Sequence, residues 1–382
     1  MPRVILFKGK FQYGAVNVFV DELAKGLAAL GRETILVDLA VSSDRSRLEE
    51  ELSRPFEFIV AFAAIGTRPQ HLPAGSHMYD RLSAPYVAVL VDHPSYQLDR
   101  FTIDNMIITC YDRTHVAFLN RYLEGRKRVE FLAHGGSAAG DDRPAPGPRP
   151  IGILFPGTYA DPDAEYDSLR KSLPPDVYEI MDFVIERLIT SDGEPMENAL
   201  SAVLAAEGRE DEWARFCPYL LPLESFVKPY KRMEVLRRLD GAGLAIEILG
   251  NHWPDSLFRH HRIQPARPYG DVLRLMQQSK MVLNMGFVPD GSHERVFSAL
   301  LNGALPVSDC NPYLEETFPH ASDMLLFRWT RLDELPARIA AWLNDEASLA
   351  GYPSRANELG RAHTWAVRAG QLLELVRRST PG

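Results

Sequence analysis

The chain has 382 residues and a formal net charge of −9, and it is 46% hydrophobic and 24% charged. This length favours two domains over one, and the composition is typical of a folded globular protein. The acidic balance argues against nucleic acid as the main partner, because proteins that follow a phosphate backbone carry a basic surface.

The first third of the chain alternates short apolar runs with helical patterns. The runs that predict strands are residues 4–7, 34–38, 58–63, 86–91, 106–109 and 129–132, and helical spacing recurs at about 15–30, 44–52 and 112–123. This alternation predicts a parallel, doubly wound sheet. We therefore expect a Rossmann-like domain over residues 1–136.

A Pro-rich polar stretch, residues 137–150, predicts a linker between domains. A second Rossmann-like domain is expected over residues 151–353. Within it, residues 163–240 carry helical patterns and almost no strand signal, which predicts a helical insertion. Two further helices are predicted at about 331–345 and 354–378. Two such halves joined by a linker would face each other across a cleft, with ligands outside the carboxyl ends of the strands.

The three cysteines (Cys110, Cys217 and Cys310) are far apart and form no CxxC spacing. That pattern favours a reducing compartment without a disulfide framework or a zinc site. The first residues lack a signal-peptide pattern, and no apolar run of about 18 residues predicts a transmembrane helix. We therefore expect a cytoplasmic protein with no transmembrane segment.

The most informative stretch is residues 281–309, MVLNMGFVPDGSHERVFSALLNGALPVSD. Its pattern predicts strand, loop, helix and strand, with Ser292 as the helix cap and Gly303 after the helix end. The helix N-terminus would lie beside His293 and Arg295, and helix N-termini favour anions. Neither a P-loop nor a dinucleotide fingerprint is present, so we expect a different phosphate-bearing ligand.

The segment GSHERVFSALLNGALPVSD resembles the GT-B glycosyltransferases, and in particular the CgeB-like (spore-maturation), family 1-like group, which shows a related Arg-Val-Phe-x-Ala…Gly run. The resemblance implies a GT-B-like α/β fold of two Rossmann-like domains. It also implies that the last segment, residues 354–382, packs back on the N-terminal domain. The implied activity is transfer of a sugar from a nucleoside-diphosphate donor to a hydroxyl-bearing acceptor, which would be a glycan, a protein or a small molecule.

Carried over to this sequence, the resemblance places the donor in the second domain. A basic group before or at the start of a helix, Lys228, Lys231 and Arg232, is where related enzymes often keep a phosphate-neutralising cation. The donor-binding residues that it implies are Gly157, Thr158, Lys228, Lys231, Asn251, Ser292, His293 and Arg295. Cations and a helix N-terminus can stabilise a departing diphosphate without a metal, so we expect no metal and no cofactor.

The first domain would hold the acceptor. Asp92 and His93 follow a predicted strand, and either could act as the general base that an inverting enzyme requires. Gly14, His134 and Gly135 would be further cleft residues. Each of these groups also has a structural interpretation: Asp92 as a cap, His93 packed on the next proline, and the glycines as turn residues.

One position departs from the pattern of the retaining families, which carry two glutamates eight positions apart. The matching positions are Asp290 and Ser298, so the carboxylate expected on the ribose is replaced by a serine. Two alternatives to glycosyl transfer therefore stay open. One is a sugar-nucleotide epimerase on the same fold, and the other is a non-catalytic protein that binds nucleotide sugars.

Overall fold

The computed structural model describes residues 1–67, 79, 82–140 and 147–378. The chain divides into two compact units, which we call unit 1 (Met1–Ser137 with His363–Gly382) and unit 2 (Ala138–Ala362). Of the predicted linker, residues 141–146 lie outside the described residues.

Unit 1 is built on a six-stranded parallel sheet, with strand order β2-β1-β3-β4-β5-β6. Its strands are β1 (Arg3–Lys8), β2 (Glu33–Asp38), β3 (Phe58–Phe62), β4 (Tyr86–Val89), β5 (Met106–Cys110) and β6 (Arg128–Phe131). Its first helices are α1 (Ala15–Ala29), α2 (Ser42–Ser53) and α3 (Arg113–Tyr122). Every residue of β3, β4 and β5 is buried, which explains why these strands read as continuous apolar runs.

Unit 2 contains a second six-stranded parallel sheet, with strand order β12-β11-β10-β7-β8-β9. Its strands are β7 (Ile151–Pro156), β8 (Glu247–Leu249), β9 (Arg262–Gln264), β10 (Ser279–Asn284), β11 (Leu305–Asp309) and β12 (Leu325–Phe327). The sequence did not predict β9, because its three residues, Arg-Ile-Gln, are too few and too polar to give a strand signal.

The chain between β7 and β8 is helical, which confirms the predicted insertion. It contains α4 (Pro162–Ser172), α5 (Pro175–Thr190), α6 (Met196–Ala206), α7 (Trp213–Phe216) and α8 (Leu220–Gly241). The remaining helices of unit 2 are α9 (Tyr269–Gln277), α10 (Glu294–Leu301), α11 (Pro312–Thr317), α12 (Leu335–Asn344) and α13 (Glu346–Gly360).

The single helix predicted at about 354–378 is wrong. The structure has α13 ending at Gly360 and a separate helix, α14 (Trp365–Arg377), which belongs to unit 1. Thr364 starts α14 as its N-cap, because its side chain accepts a hydrogen bond from the backbone N–H of Val367. A Cβ at position 360 would lie 3.0 Å from Leu301, so the C-terminal end of α13 packs closely against α10.

Helix α14 completes the core of unit 1. The ring of Trp365 stacks on Phe19 of α1 at a centroid distance of 5.0 Å and meets Phe62 of β3 edge-on at 5.3 Å. A side chain at Gly26 would lie 2.7 Å from the Cα of Ala366, so α1 and α14 cross at close range. Among the described residues, no helix is long and apolar enough to cross a bilayer.

Candidate functional site

The strand order of unit 2 reverses between β7 and β10. In open α/β sheets, ligands bind outside the carboxyl ends of the strands at such a reversal, where the connections leave in opposite directions and open a crevice. The loops that follow these two strands are residues 157–161 and 285–293. The candidate site is therefore built from these loops and the helices beside them.

The loop after β7 is fixed by its backbone groups. The N–H of Gly157 donates to the carbonyl of Leu249 at 2.8 Å, and the carbonyl of Gly157 accepts from Nε1 of Trp253 at 2.7 Å. A Cβ at position 157 would lie 2.6 Å from the ring of Phe155, so the close turn requires glycine. The structural interpretation of Gly157 therefore holds whatever the loop binds.

The loop after β10 leads into α10, and His293 rather than Ser292 caps that helix. Nδ1 of His293 accepts a hydrogen bond from the backbone N–H of Arg295 at 3.3 Å. Ser292 is buried, and its hydroxyl donates to the carbonyl of His293. The predicted cap was therefore one residue too early. An imidazole nitrogen can accept the backbone hydrogen bond of a helix cap just as a serine oxygen can. The side chain of His293 remains 30% exposed.

Two arginines meet at the ring of Phe155. The guanidinium carbons of Arg232, on α8, and Arg295, on α10, lie 5.5 and 5.8 Å from the ring centroid. Nη1 of Arg232 donates to the carbonyl of Thr158 at 2.6 Å, and Nη1 of Arg295 donates to Oδ1 of Asn284 at 3.2 Å. The site therefore combines two cations with an aromatic surface.

These two cations are poorly compensated by the protein. Burial, together with the nearby charge of Arg295, lowers the pKa of Arg232 to about 10. Burial also lowers the pKa of Arg295, against the opposing effect of Glu294. Within the described part of the chain, the buried Nε of Arg232 has no hydrogen-bond acceptor. Buried donors and like charges are costly when unpaired, so this arrangement favours an anion.

The two lysines predicted to bind the donor have other contacts. Nζ of Lys228 forms an ion pair with Oε1 of Glu224 at 2.7 Å, one turn earlier on α8. Nζ of Lys231 donates to the carbonyl of Ser191 at 3.1 Å. Of the three cations in this group, Arg232 is the one that joins Arg295. The sequence could not separate them, since their assignment depends on which face of α8 packs against β7.

Ser298, at the position where a ribose carboxylate was expected, is fully buried. Its hydroxyl lies 3.0 Å from the hydroxyl of Tyr269 and donates to Oε2 of Glu294 at 3.3 Å. The hydroxyl of Tyr269 donates to the same carboxylate oxygen at 3.3 Å. Burial raises the pKa of Glu294. Glu294 is therefore the carboxylate in this turn of the helix, and no pattern in the sequence indicated the supporting Tyr269.

The other two donor-side predictions lie in the loops after β7 and β8. Thr158 contributes its carbonyl to Arg232. Asn251, in the loop after β8, is exposed, and its carbonyl accepts from the N–H of Tyr159 at 3.0 Å. The side chain of Asn251 thus lies at the surface, beside the loop that holds Gly157.

In unit 1, Asp92 is exposed and His93 is buried, both just after β4. Nδ1 of His93 accepts from the backbone N–H of Ser95 at 3.2 Å and lies 2.8 Å from its hydroxyl. A backbone N–H can only donate, so the neutral ring carries its proton on Nε2. His93 can therefore donate a hydrogen bond through Nε2, but in this tautomer it cannot act as a base there.

His134 and Gly135, which were predicted as cleft residues, are packed in the interior of unit 1. His134 is 3% exposed, and burial together with the charge of Arg368 lowers its pKa to about 3. Its carbonyl accepts from Nε of Arg368 at 2.8 Å. A side chain at Gly135 would lie 2.5 Å from the ring of Trp365. Both residues therefore hold α14 in the interior of unit 1 and are not placed to contact a ligand.

Gly14 lies where α1 begins and has a φ of +72°, a conformation that favours glycine. Turn geometry therefore explains this glycine, which was predicted as a cleft residue. Among the described residues, no group of three or more His, Cys, Asp or Glu side chains is arranged to hold a metal ion.

Comparison with known proteins agrees with this architecture. Residues 230–374 match the model of a family described as glycosyl transferase-like. A comparison with curated protein sequences gives no match. These residues, which include Arg232 and Arg295, thus form a glycosyl transferase-like region.

Three solved structures illustrate the likeness of the fold. Sucrose-phosphate synthase from Thermosynechococcus elongatus aligns with a TM-score of 0.55 at 11% identity over 99% of each chain. The DNA modifying enzyme beta-glucosyltransferase, solved with and without its substrate uridine diphosphoglucose, has a TM-score of 0.57 at 9% identity over 99% of this chain and 100% of its own. Anabaena HepE in complex with UDP-glucose has a TM-score of 0.51 at 10% identity over 99% and 100%. The predicted GT-B-like fold is thereby confirmed.

Proposed function

We propose that this protein is a glycosyltransferase that binds a nucleoside-diphosphate sugar through Arg232 and Arg295 and transfers its sugar to a hydroxyl-bearing acceptor. The observation that carries the proposal is the pair of half-buried guanidinium groups at the strand-order reversal of unit 2, whose charges the protein compensates poorly. A diphosphate would supply the missing negative charge. Two of the structural neighbours were solved with UDP-glucose, and the family match covers both arginines.

The chemistry requires stabilisation of a leaving group. The bond between the anomeric carbon and the diphosphate oxygen breaks, and negative charge develops on the departing nucleoside diphosphate. Arg232 and Arg295, with the N-terminus of α10, would stabilise that charge more strongly in a buried site than in water. On this proposal the protein's own cations stabilise the leaving group without a metal.

The acceptor oxygen forms the new bond to the anomeric carbon and loses its proton. We assign that proton to Asp92, because its carboxylate is exposed at the carboxyl end of β4. His93, whose neutral ring presents an N–H at Nε2, would orient the acceptor by donating a hydrogen bond. This assignment is for an inverting reaction. In a retaining reaction both residues would only position the acceptor.

Glu294 would take the ribose hydroxyls in place of the absent carboxylate at position 298. It is the residue next to Arg295, and Tyr269 and Ser298 both donate to Oε2, which fixes the group from one side. Side chains on helices point toward the N-terminus. A longer acid at position 298 would therefore bring its carboxylate back toward Glu294. The run Arg295-Val296-Phe297 also supports the CgeB-like group within the class.

The direct test is a thermal-shift screen with UDP-, GDP- and dTDP-sugars on the wild type, Arg232→Ala and Arg295→Ala. A ligand at 100 times its Kd adds about 2.7 kcal/mol of stability, which raises the Tm by several degrees. Arg237→Ala is the matched control, because Arg237 lies on the same helix with a side chain that is 57% exposed.

We expect at least one nucleotide sugar to raise the Tm of the wild type and of Arg237→Ala, and to have little effect on the other two variants. No shift with any donor would refute the donor site. Product analysis with the active donor then separates the functions. A transferase needs an acceptor or water, an epimerase turns over the donor alone, and a binding protein leaves it intact.

A further inference from the structure

A buried lysine lies beneath the loop of residues 285–292, which we call the β10 loop. Lys231 is 3% exposed, and its ammonium lies 5.0 Å from the ring centroid of Phe287 in that loop and 4.7 Å from that of Trp329. It also donates to the carbonyl of Ser191, at the end of α5. One cation thus touches the helical insertion, the β10 loop and the segment before α12.

The β10 loop is conformationally strained at the residue that Lys231 contacts. Phe287 has a φ of +49°, in the left-handed region that an L-residue with a large side chain rarely adopts. Such a conformation is energetically unfavourable and persists only when neighbouring contacts hold it. Neighbouring contacts must therefore stabilise this loop conformation, and the cation–π contact between the Lys231 ammonium and the Phe287 ring is one of them.

A carboxylate below the loop completes this arrangement. Asp309, at the end of β11, accepts from the N–H of Gly286 and from Ser308; burial raises its pKa, against the charge of Lys231, which favours the ionised form. Nδ2 of Asn311 donates to the carbonyls of Val288 and Gly291 at 2.7 and 3.0 Å. The β10 loop is thus held at several of its residues immediately before His293 and Arg295.

We propose that Lys231 is a positioning residue whose contacts join the β10 loop to the helical insertion. These contacts would hold Arg232 and Arg295 in the geometry that binds an anion. This inference rests on the proposed function, since it needs an anion to bind there. It differs from a direct role, because the amine already contacts a carbonyl and two aromatic rings. Its effect would reach the anion through the loop.

The experiment compares the wild type with Lys231→Met, which keeps the length and apolar stem of the side chain and removes its charge. Hydrogen exchange of the β10 loop is measured without ligand, and the affinity for inorganic pyrophosphate is measured by calorimetry. Lys171→Met is the control for net charge, since Lys171 lies on α4 with a 78% exposed side chain. If Lys231→Met folds poorly, Lys231→Met with Asp309→Asn removes both buried charges together.

A positioning role predicts faster exchange in the β10 loop and a Kd for pyrophosphate that rises about tenfold, which corresponds to about 1.4 kcal/mol of binding free energy. A weaker affinity with unchanged exchange would mean direct contact with the anion and would overturn the inference. Unchanged affinity would also overturn it. If the wild type itself fails to bind pyrophosphate, the proposed function fails first and the inference falls with it.

A pH profile gives a readout that a merely structural lysine would not move. Burial lowers the pKa of Lys231 to about 8, against the charges of Asp309 on β11 and Asp192 in the loop between α5 and α6. The wild type should therefore lose its tenfold advantage over Lys231→Met as the pH rises from 7 through 8 to 10. An advantage that stays constant over this range would contradict a role for the charged ammonium.

Discussion

The two units share one architecture but carry different chemistry at the carboxyl ends of their sheets. In unit 1 this edge is filled by rings packed on one another, with His93 on His115 and Tyr111 on His134 at centroid distances of 4.6 Å each. In unit 2 the corresponding edge holds Arg232, whose buried Nε is without an acceptor among the described residues. The same topology therefore supports a packed interior in one unit and the proposed anion site in the other, so the difference lies in the side chains and not in the fold.

The largest expected effect tests whether the edge of unit 1 contributes chemistry at all. Asp92→Asn should lower kcat by about 10²–10⁴, the usual contribution of a general base. His93→Gln should lower it less, because the ring of His93 donates rather than accepts at Nε2. Steady-state kinetics with the donor found by thermal shift measure both, and Asp99→Asn is the control for an exposed carboxylate on this edge. Equal kcat for Asp92→Asn and the wild type would remove unit 1 from the chemistry.

The second prediction concerns the packed interior of unit 1. Trp365→Ala should destabilise this unit by about 3–5 kcal/mol, as for other large aromatic residues removed from cores. Gly135→Ala should cost about 1–3 kcal/mol, because the added methyl overlaps the Trp365 ring. Gly147→Ala is the control, since nothing lies within 4 Å of its added Cβ. Urea unfolding followed by hydrogen exchange should show the loss in unit 1 peptides, and an equal loss in unit 2 would contradict the division.

The third prediction sharpens the contrast at the anion site. Arg232→Met should stabilise the unliganded protein by about 1–2 kcal/mol, because it replaces an uncompensated buried charge with apolar volume. The same variant should lose affinity for pyrophosphate. Urea midpoints compared with those of Arg237→Met measure the first effect, and calorimetry measures the second. A destabilised Arg232→Met would mean that the guanidinium is part of the fold and not reserved for a ligand.

The last prediction separates the two units by pH. The pKa of His134 is about 3 in the folded state and about 6.5 when exposed, so the unfolded chain binds more protons between these values. Unit 1 should lose stability as the pH falls below 6.5. The pKa of Lys231 is about 8 when folded and about 10.5 when exposed. Unit 2 should therefore gain stability as the pH rises from 8 to 10.5.

Urea midpoints across pH, with His134→Leu and Lys231→Met as the variants, test these two windows. His134→Leu should reduce the slope of the acid window, to which His363 also contributes because burial and the charge of Arg368 lower its pKa to about 4. Lys231→Met should reduce the slope of the alkaline window. Glu22 contributes with the opposite sign in unit 1, because burial raises its pKa to about 7. The acid window is therefore best measured in a Glu22→Gln background. A wild-type midpoint that is flat below pH 6.5 in that background would contradict a buried neutral His134.

Much of the fold could be predicted because its signals are local. Buried parallel strands appear as apolar runs. Gly303 marks the end of a helix, and the composition of the linker marks the boundary between the two predicted domains. The missed elements lack such signals: β9 is polar and short, and the break between α13 and α14 depends on Gly360 packing against Leu301, a contact far apart in sequence. The resemblance to the GT-B glycosyltransferases improved the prediction only over the segment that carries it, where the local patterns were weak.

The site was less predictable, because its residues are selected by tertiary packing. Arg295 was named from a motif and its helix N-terminus, and it does lie at the strand-order reversal. Arg232 could be named only within a basic group, since choosing between it and Lys231 requires knowing how α8 is rotated against β7. Tyr269 gave no signal, because its partner Ser298 is remote in sequence.

The late return of α14 to unit 1 has a consequence for synthesis on the ribosome. Residues 1–137 emerge first, but the ring that fills their core belongs to Trp365, beyond all of unit 2. At roughly 5–20 residues per second, the intervening chain takes on the order of ten seconds or more to translate. All of unit 2 is therefore synthesised before the core of unit 1 can be completed. The apolar surfaces of Phe19 and Phe62 therefore lack the covering ring of Trp365 until α14 leaves the exit tunnel.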